Sequence, residues 1–373
     1  MSQTNTESDT QALKAAWHAF CDRLKSAGDP IFADEAAADP LTRAEGVRYL
    51  TRLVRAAFET FVEFSEPAAP VLRRTVHETI KMGADNPDNW YENAPVHGDY
   101  VYRLSGTRGS VPYLSIATQN GHYGQGAGMP PAGFLEAKDM QLTPDGRIDV
   151  VLSKEPRAGN WLKLPEGYGT LIVRQTFSDR TRETRADLTL ERIEQAPNTE
   201  QSGPLPGLTP DGVMRGLQSA ASLVSACAMI FPNWAKGFRK HANQLPQFDP
   251  QLSRMFGGDP NIAYYHSFWE LEEDQALVIE VTPPSCDYWN FQLNNYWMES
   301  LDYRHHEVCI NQAGAKLRAD GSVCIVVSHR NPGVDNWLDT AGHRFGTMCF
   351  RWVRAAAHPV PQTRVVALRE IQP

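Results

Sequence analysis

The densest run of ionisable side chains is Asp302-Tyr303-Arg304-His305-His306-Glu307. Histidine titrates near neutral pH, and a nearby carboxylate can steady or relay its proton, so the run suits general acid/base catalysis. Read as a strand, it sets Asp302 and His306 on one face and His305 on the other, so the two histidines cannot easily share a metal. The plainer alternative is a polar strand end carrying a charge pair. A second set is His329, Asp335, Asp339 and His343. Histidine with carboxylates suits Zn, Mn or Fe, but the spacing matches no H-x-H, H-E-x-x-H or facial-triad pattern. No metal ligand is therefore assigned; a divalent metal at His329 and His343 stays open as a minor alternative. Serine-based nucleophilic catalysis has no G-x-S-x-G to support it, and the adjacent Ser328 and His329 diverge on a strand.

The glycine-rich stretch 119–128 contains His122 and Tyr123. Met129-Pro130-Pro131 follows where a phosphate-binding helix would have to begin, so neither a P-loop nor a dinucleotide fingerprint fits. A loop bordering a pocket, with His122 and Tyr123 reaching a ligand, fits better. Aromatic residues crowd 288–303. Alternation makes Trp289 and Phe291 one aromatic face, which is either core or the wall of an apolar cavity. In the cavity reading, Trp289 and Trp297 line it, and Gln292, Asn294 or Tyr303 orients the ligand.

The elements that must position these residues can be read from periodicity. A frayed tail is expected over 1–10. Helical spacing of apolar residues covers 11–25, stopped by Ala27-Gly28-Asp29-Pro30, and again 41–64. Turn signals from Asp85 onward separate short apolar runs, giving strands at 101–104 and 111–117; an Asp145-Gly146 hairpin-type turn then leads into a strand at 148–152. A polar connector at 195–208 precedes Thr209-Pro210, an N-cap followed by proline, and a buried helix ending near Pro232. Strands resume at 264–269 and 276–281. The organisation is thus a helical segment over 11–84, a first β unit over 85–205, a helical insertion over 206–263 and a second β unit over 264–373.

The two β units are related. Residues 145–174 and 320–351 share, in order, Asp-Gly, a β run, serine, a proline-containing loop, Asn-Trp-Leu, Gly-Thr, a second β run and arginine. Asp to Asn spans 15 residues in the first copy and 16 in the second. Each copy reads as strand, structured crossover and strand. Trp161 and Trp337 anchor the crossovers, Asn160 and Asn336 satisfy turn backbone, and Arg174 and Arg351 close the second strand. Asp99-Tyr100 and Asp287-Tyr288 form a weaker upstream match. The copies differ after the matched serine, where Lys154-Glu155 becomes His329-Arg330, so the second copy gains groups able to move protons. A ligand site between or within the units follows as a hypothesis; the bland alternative is that the shared residues are scaffold.

Composition narrows the rest. In 373 residues with net charge −8 no basic stripe occurs, which disfavours nucleic acid. Six scattered cysteines, none in a C-x-x-C pair, read as buried apolar residues in a reducing compartment. The polar, acidic N-terminus has no signal-peptide pattern, and the run 216–231 is short and serine-interrupted for a membrane span. A cytoplasmic setting is the expectation.

Phe291-Gln292-Leu293-Asn294-Asn295, Leu301-Asp302-Tyr303, Ala319-Asp320-Gly321, Asn336-Trp337-Leu338 and Arg351 together resemble the family catalogued as domain of unknown function 1214. The resemblance covers roughly 265–360, with the first copy more loosely similar to the region that often precedes this domain. It implies a β-sandwich-like domain and a homo-oligomer, and brings no established chemistry with it. The expectation is a β-rich α+β protein of two related β-sandwich-like units with an N-terminal helical segment and a helical insertion. Its leading activity is non-redox acid/base catalysis (lyase, hydratase or isomerase type) on an apolar small molecule, without an organic cofactor. His329, His306, Asp302 and Tyr303 are the proton-transfer candidates, with Arg351 steadying negative charge. Open alternatives are an apolar-ligand carrier, a metal-assisted hydrolase or lyase, and a structural assembly subunit.

Overall fold

The structure, a computed structural model, describes residues 3–34, 39–126, 128–195 and 207–372. The α-helices among the described residues are α1 (Gln3–Ala33), α2 (Pro40–Phe58), α3 (Pro210–Phe238) and α4 (Pro250–Met255). Asp39 caps α2 by accepting from the Thr42 N–H at 3.0 Å, and Thr209 caps α3 by accepting from the Gly212 N–H at 3.1 Å. Proline fills the first turn of each, where its missing N–H costs nothing. α1, α2 and α3 bury a common core that includes Phe20, Ile31, Tyr49, Leu53, Ala220 and Val224.

Two helix limits differ from the periodicity. α1 starts at Gln3, inside the expected tail, and continues through Gly28-Asp29-Pro30; α3 continues six residues past Pro232. An internal proline forfeits one backbone hydrogen bond. Burial outweighs that loss, because Ile31, Phe231 and Ala235 all lie in the helical core. α2 ends at Phe58 and its continuation, Glu59–Glu63, is π-wound. The expected connector at 195–208 lies mostly outside the described residues.

The first unit contains β1 (Asn89–His97), β2 (Tyr100–Thr107), β3 (Tyr113–Asn120), β4 (Pro131–Glu136), β5 (Arg147–Ser153), β6 (Trp161–Lys163), β7 (Tyr168–Thr176) and β8 (Asp187–Gln195). The second contains β9 (Ile262–Glu270), β10 (Gln275–Val281), β11 (Tyr288–Leu293), β12 (Cys309–Asn311), β13 (Val323–Ser328), β14 (Trp337–Asp339), β15 (Phe345–Val353) and β16 (Gln362–Ala367). Each unit is two four-stranded sheets. The orders β1-β7-β3-β4 and β6-β5-β2-β8 in the first match β9-β15-β11-β12 and β14-β13-β10-β16 in the second. The duplication is therefore topological, strand for strand.

The crossovers match atom for atom. β5 pairs parallel with β6 through Val151–Trp161, and β13 with β14 through Val326–Trp337. The Trp161 indole donates to Ser153 Oγ at 3.0 Å and the Trp337 indole to Ser328 Oγ at 2.9 Å. Asn160 Nδ2 donates to the Gln141 and Asp149 carbonyls, as Asn336 Nδ2 does to those of Lys316 and Cys324. Asp145-Gly146 is a turn, with Gly146 at φ 76°, but its flanking strands β4 and β5 belong to different sheets, so it crosses the sandwich instead of closing a hairpin. The Asp99-Tyr100 and Asp287-Tyr288 match also fails: Tyr100 opens β2, whereas Tyr288 opens β11, whose counterpart is β3 and its Tyr113.

Side chains alternate across the strands. On β7, Leu171 and Val173 enter the first sandwich core; on β15, Met348, Phe350 and Trp352 enter the second. Arg174 and Arg351 point the other way, toward the sister unit.

Candidate functional site

The site grows from the outward faces of the sheets led by β1 and β9. Tyr91 lies opposite Arg174 in the β1–β7 pair, and Tyr264 opposite Arg351 in the β9–β15 pair. Each unit is entered by a matching loop. Asn86-Pro87-Asp88 precedes β1 and Asp259-Pro260-Asn261 precedes β9. In both, a backbone N–H five residues before the tyrosine donates to its hydroxyl oxygen: Asn86 to Tyr91 at 3.0 Å, Asp259 to Tyr264 at 3.2 Å.

The units hold each other through these loops. Arg351 Nη2 donates to the Ala84 carbonyl at 2.5 Å, and Arg174 Nη2 donates to the Gly257 carbonyl. Ala84 and Gly257 both have left-handed backbone, at φ 58° and φ 84°. Such a φ is strained for alanine and easy for glycine. Here it aims each carbonyl at the other unit's arginine. Tyr113 donates to Asp259 Oδ1 at 2.8 Å, and Tyr288 to Asp88 Oδ2 at 2.6 Å. Ser115 and Asn290, at matching positions on β3 and β11, donate to Asp259 and Asn86.

Between the units and the helices lies a cavity of about 230 Å³. One wall is apolar, built by Phe61, Leu223, Phe231, Trp234, Phe248 and Phe256; the other carries Arg174, Arg351, Tyr91, Tyr264, Asp85 and His266. Arg351 is buried; Arg174, Tyr91 and Tyr264 are half-buried, and the surface they keep is that of the cavity they line. Among the described residues no carboxylate stands within the 4.0 Å of an ion pair from either guanidinium, and neither tyrosine donates its hydroxyl proton. Four donors therefore face one space. Burial works against the charge on Arg174, yet Asp259 and the tyrosine hydroxyls around it outweigh that and hold the guanidinium protonated.

Asp85 is buried on the same wall, its oxygens accepting from the Ser300 N–H at 3.0 Å and Oγ–H at 2.8 Å. Burial raises its pKa, against the pull of Lys81. His122 lines the cavity with Nδ1 2.7 Å from the Tyr123 carbonyl and its ring 4.4 Å from Phe61; burial lowers its pKa. Tyr123 also lines it and donates to the Phe256 carbonyl at 2.8 Å.

The other residues singled out in the sequence lie elsewhere. Residues 302–306 form a turn, not a strand, because Asp302 closes it through the His305 and His306 N–H groups and a bidentate bond from Arg304. That Arg304 bond holds the Asp302 carboxyl well below the usual range. His306 consequently pairs with Asp339, at 2.7 Å, instead of Asp302. His329 sits between Thr340 Oγ1 at 2.8 Å and the Leu271 carbonyl at 3.2 Å. Tyr303 lies under the Lys81 ammonium, 4.4 Å from its ring centre. None of these four lines the cavity. His343 meets Glu45 at 3.0 Å, and no group of three metal-ligating side chains is present among the described residues. Trp289 is core, stacked on Phe350. Trp297 wedges against Gly46, where any added Cβ would clash with it at 2.6 Å, and donates to the Thr42 carbonyl. Gln292 and Asn294 are buried; Gln292 Oε1 accepts from Arg351 at 2.5 Å and Gln292 Nε2 donates to Asn294 at 2.5 Å.

Tyr91, Tyr264, Asp85 and His266 escaped the sequence reading. The aligned Asn-Pro-Asp and Asp-Pro-Asn loops, each with a tyrosine five residues on, were the signal available for the tyrosines and Asp85; none marks His266.

A family model described as a protein of unknown function, DUF1214, matches residues 88–177 and 270–356, one match in each unit. A crystal structure of an uncharacterized protein from Burkholderia cenocepacia is similar at 51% identity and TM-score 0.92, covering 97% of this chain and 100% of that one. The VPA0106 protein from Vibrio parahaemolyticus matches at 11% identity and TM-score 0.49, over 86% of this chain and 98% of its own. No curated protein matches.

Proposed function

The chain belongs to the DUF1214 family, proteins of unknown function, and from its cavity we propose that it binds an apolar small molecule with an anionic head and acts on it by non-redox proton transfer. One observation carries this reading. Two guanidiniums and two tyrosine hydroxyls without carboxylate partners face a wall of aromatic and aliphatic side chains. Among the described residues neither guanidinium is in direct contact with a carboxylate, so a ligand anion can take those donors while its body displaces water from the apolar wall. The size suits a compact molecule, below the usual drug-sized range.

Proton transfer falls to Asp85 in this reading. Burial moves its pKa upward, toward the range in which a carboxyl beside the anion site can exchange a proton with a ligand, as a lyase, hydratase or isomerase step needs. His122 is the second candidate. The quartet His329, His306, Asp302 and Tyr303 is less favoured, since each is already tied to other partners away from the cavity. Carriage without catalysis is the second reading, favoured by Ser300 occupying both Asp85 oxygens.

The test is calorimetric titration with benzoate and with neutral benzyl alcohol, on wild type and on Arg174→Met. Benzoate should bind the wild type and lose about 10–100-fold in Arg174→Met, the scale of a lost charged hydrogen bond. Equal affinity of the two probes, or an unaffected variant, rules out the anion site. Incubating carboxylates with acidic α-carbons in deuterated water separates the readings. Deuterium uptake that disappears in Asp85→Asn supports the enzyme, and tight binding without uptake supports the carrier.

A further inference from the structure

Resting on that anion site, we propose that His266 reads a second oxygen on the ligand, so that the ligand class is an apolar carboxylate bearing an ether, carbonyl or hydroxyl oxygen beyond its anionic end.

His266 follows Tyr264 by two residues on β9, so both project from the same face. Its ring lines the cavity and is fixed on three sides. It stacks on Tyr264 at 5.5 Å and 6° and on Phe238 at 5.7 Å and 7°, and meets Phe248 edge-on at 5.2 Å. The side chain is 9% exposed. Its Nδ1 is buried with no hydrogen-bond partner, and no bond to Nε2 occurs among the described residues. With Nδ1 buried and unbonded, Nε2 is the ring nitrogen left to take a partner, and on a cavity wall that partner arrives with the ligand.

The chemistry of that partner follows from the tautomer. A proton on Nδ1 would strand an N–H donor among aromatic rings, whereas a bare lone pair there costs less. The proton therefore belongs on Nε2, the nitrogen left to meet the ligand. Burial, with Arg351 nearby, lowers the pKa to about 3, so the ring is a neutral donor at physiological pH and adds no charge to the arginine pair. A neutral N–H donor selects an acceptor oxygen. Two residues of strand separate His266 from Tyr264, so that oxygen lies about 6–7 Å from the head group. In the first unit the matching position is Asn93, which also lines the cavity, but Thr75 and the Leu171 carbonyl already occupy its amide. The second reading group is therefore on one side only.

The experiment compares 4-methoxybenzoate with 4-ethylbenzoate, in which a methylene replaces the acceptor oxygen. Wild type should prefer the methoxy compound about tenfold, the scale of one satisfied buried hydrogen bond. His266→Phe should bring the ratio near one while benzoate still binds. His266→Gln, which keeps an N–H donor of similar reach, should retain part of the preference and guards against a folding defect in the phenylalanine variant. If wild type binds both compounds equally, with benzoate binding still dependent on Arg174, the inference about His266 fails and the anion site stands. If no benzoate of the series binds, both fail.

Discussion

Arg174 and Arg351 occupy the same position in two copies of one strand, yet their surroundings differ. Arg351 donates to Asn290, to Gln292 and to the Ala84 carbonyl, and is buried. Among the described residues Arg174 donates only to the Gly257 carbonyl, and it keeps surface in the cavity. The difference comes from the neighbouring strand. β11 offers Asn290 and Gln292, with Asn294 just beyond its end, where β3 offers Ser115, Ala117 and Gln119. Ser115 is spent on Asp259, and Ala117 has nothing to offer. Duplication supplied two cations; divergence of β11 turned one into a clamp between units and left the other free for a ligand. The arginine that the sequence pointed to, Arg351, is thus the more structural of the two.

Exchanging each arginine for methionine, which keeps length and removes charge and donors, is the sharpest way to break this comparison. Arg351→Met leaves the buried acceptors of Asn290 and Ala84 without donors, and Gln292 Oε1 with only the 3.5 Å bond from Asn290 Nδ2. It should lower unfolding free energy by about 3–5 kcal/mol, since each orphaned buried group costs about 1–3 kcal/mol. Arg174→Met orphans one carbonyl and should cost about 1 kcal/mol while removing anion binding. Urea unfolding of both variants measures this. Equal losses would mean that the two arginines are alike.

The second asymmetry is His266 against Asn93, and it has a pH signature. The unfolded imidazole takes up its proton near its ordinary value, whereas the folded one does so only near 3. Between these values the unfolded state binds more protons, so His266 withdraws stability as pH falls, by up to about 1.4 kcal/mol per unit. His266→Asn, which copies the first unit, lacks this term. Relative to wild type, the variant should gain about 2–3 kcal/mol between pH 7 and pH 4, read from urea midpoints at both values. A constant difference across that range would mean that the ring is not held neutral.

Why the sequence yielded some of this and not the rest follows from where each signal resides. Asp-Gly, Asn-Trp-Leu and Gly-Thr are local and chemically marked, so the crossovers were readable in detail. The glycine run at 119–128 was readable as a pocket edge, and His122 and Tyr123 do line the cavity. The cavity wall itself was not. β1, β7, β9 and β15 are covered on both faces, one by their own sandwich and the other by the helices and the sister unit around the cavity. Burial alone therefore cannot tell which face carries Tyr91, Arg174, Tyr264 and His266. Clustering in sequence misled for a related reason: Asp302 to His306 are close along the chain, but a turn spends their hydrogen bonds locally. At Pro30 and Pro232 a real local penalty was overruled by core burial that only the packed helices create.

The smallest effect tests the part of the comparison in which the units should not differ. Trp161 and Trp337 each donate an indole N–H to the serine ending the preceding strand, at 3.0 Å and 2.9 Å, and both are partly buried. Phenylalanine at either position removes the donor and keeps most of the ring's packing. Each variant should therefore lose about 1 kcal/mol, one hydrogen bond's net worth. On top of Trp161→Phe, Ser153→Ala should cost only the serine's own bond to the Glu155 carbonyl, and Ser328→Ala on top of Trp337→Phe only that to the Arg330 carbonyl, because the indole bond is already gone. Thermal or urea unfolding of the two single variants, measured side by side, should agree within about 0.5 kcal/mol. A gap well beyond that would mean that divergence reached the crossovers as well as the cavity wall, and that β5–β6 and β13–β14 are no longer interchangeable scaffolds.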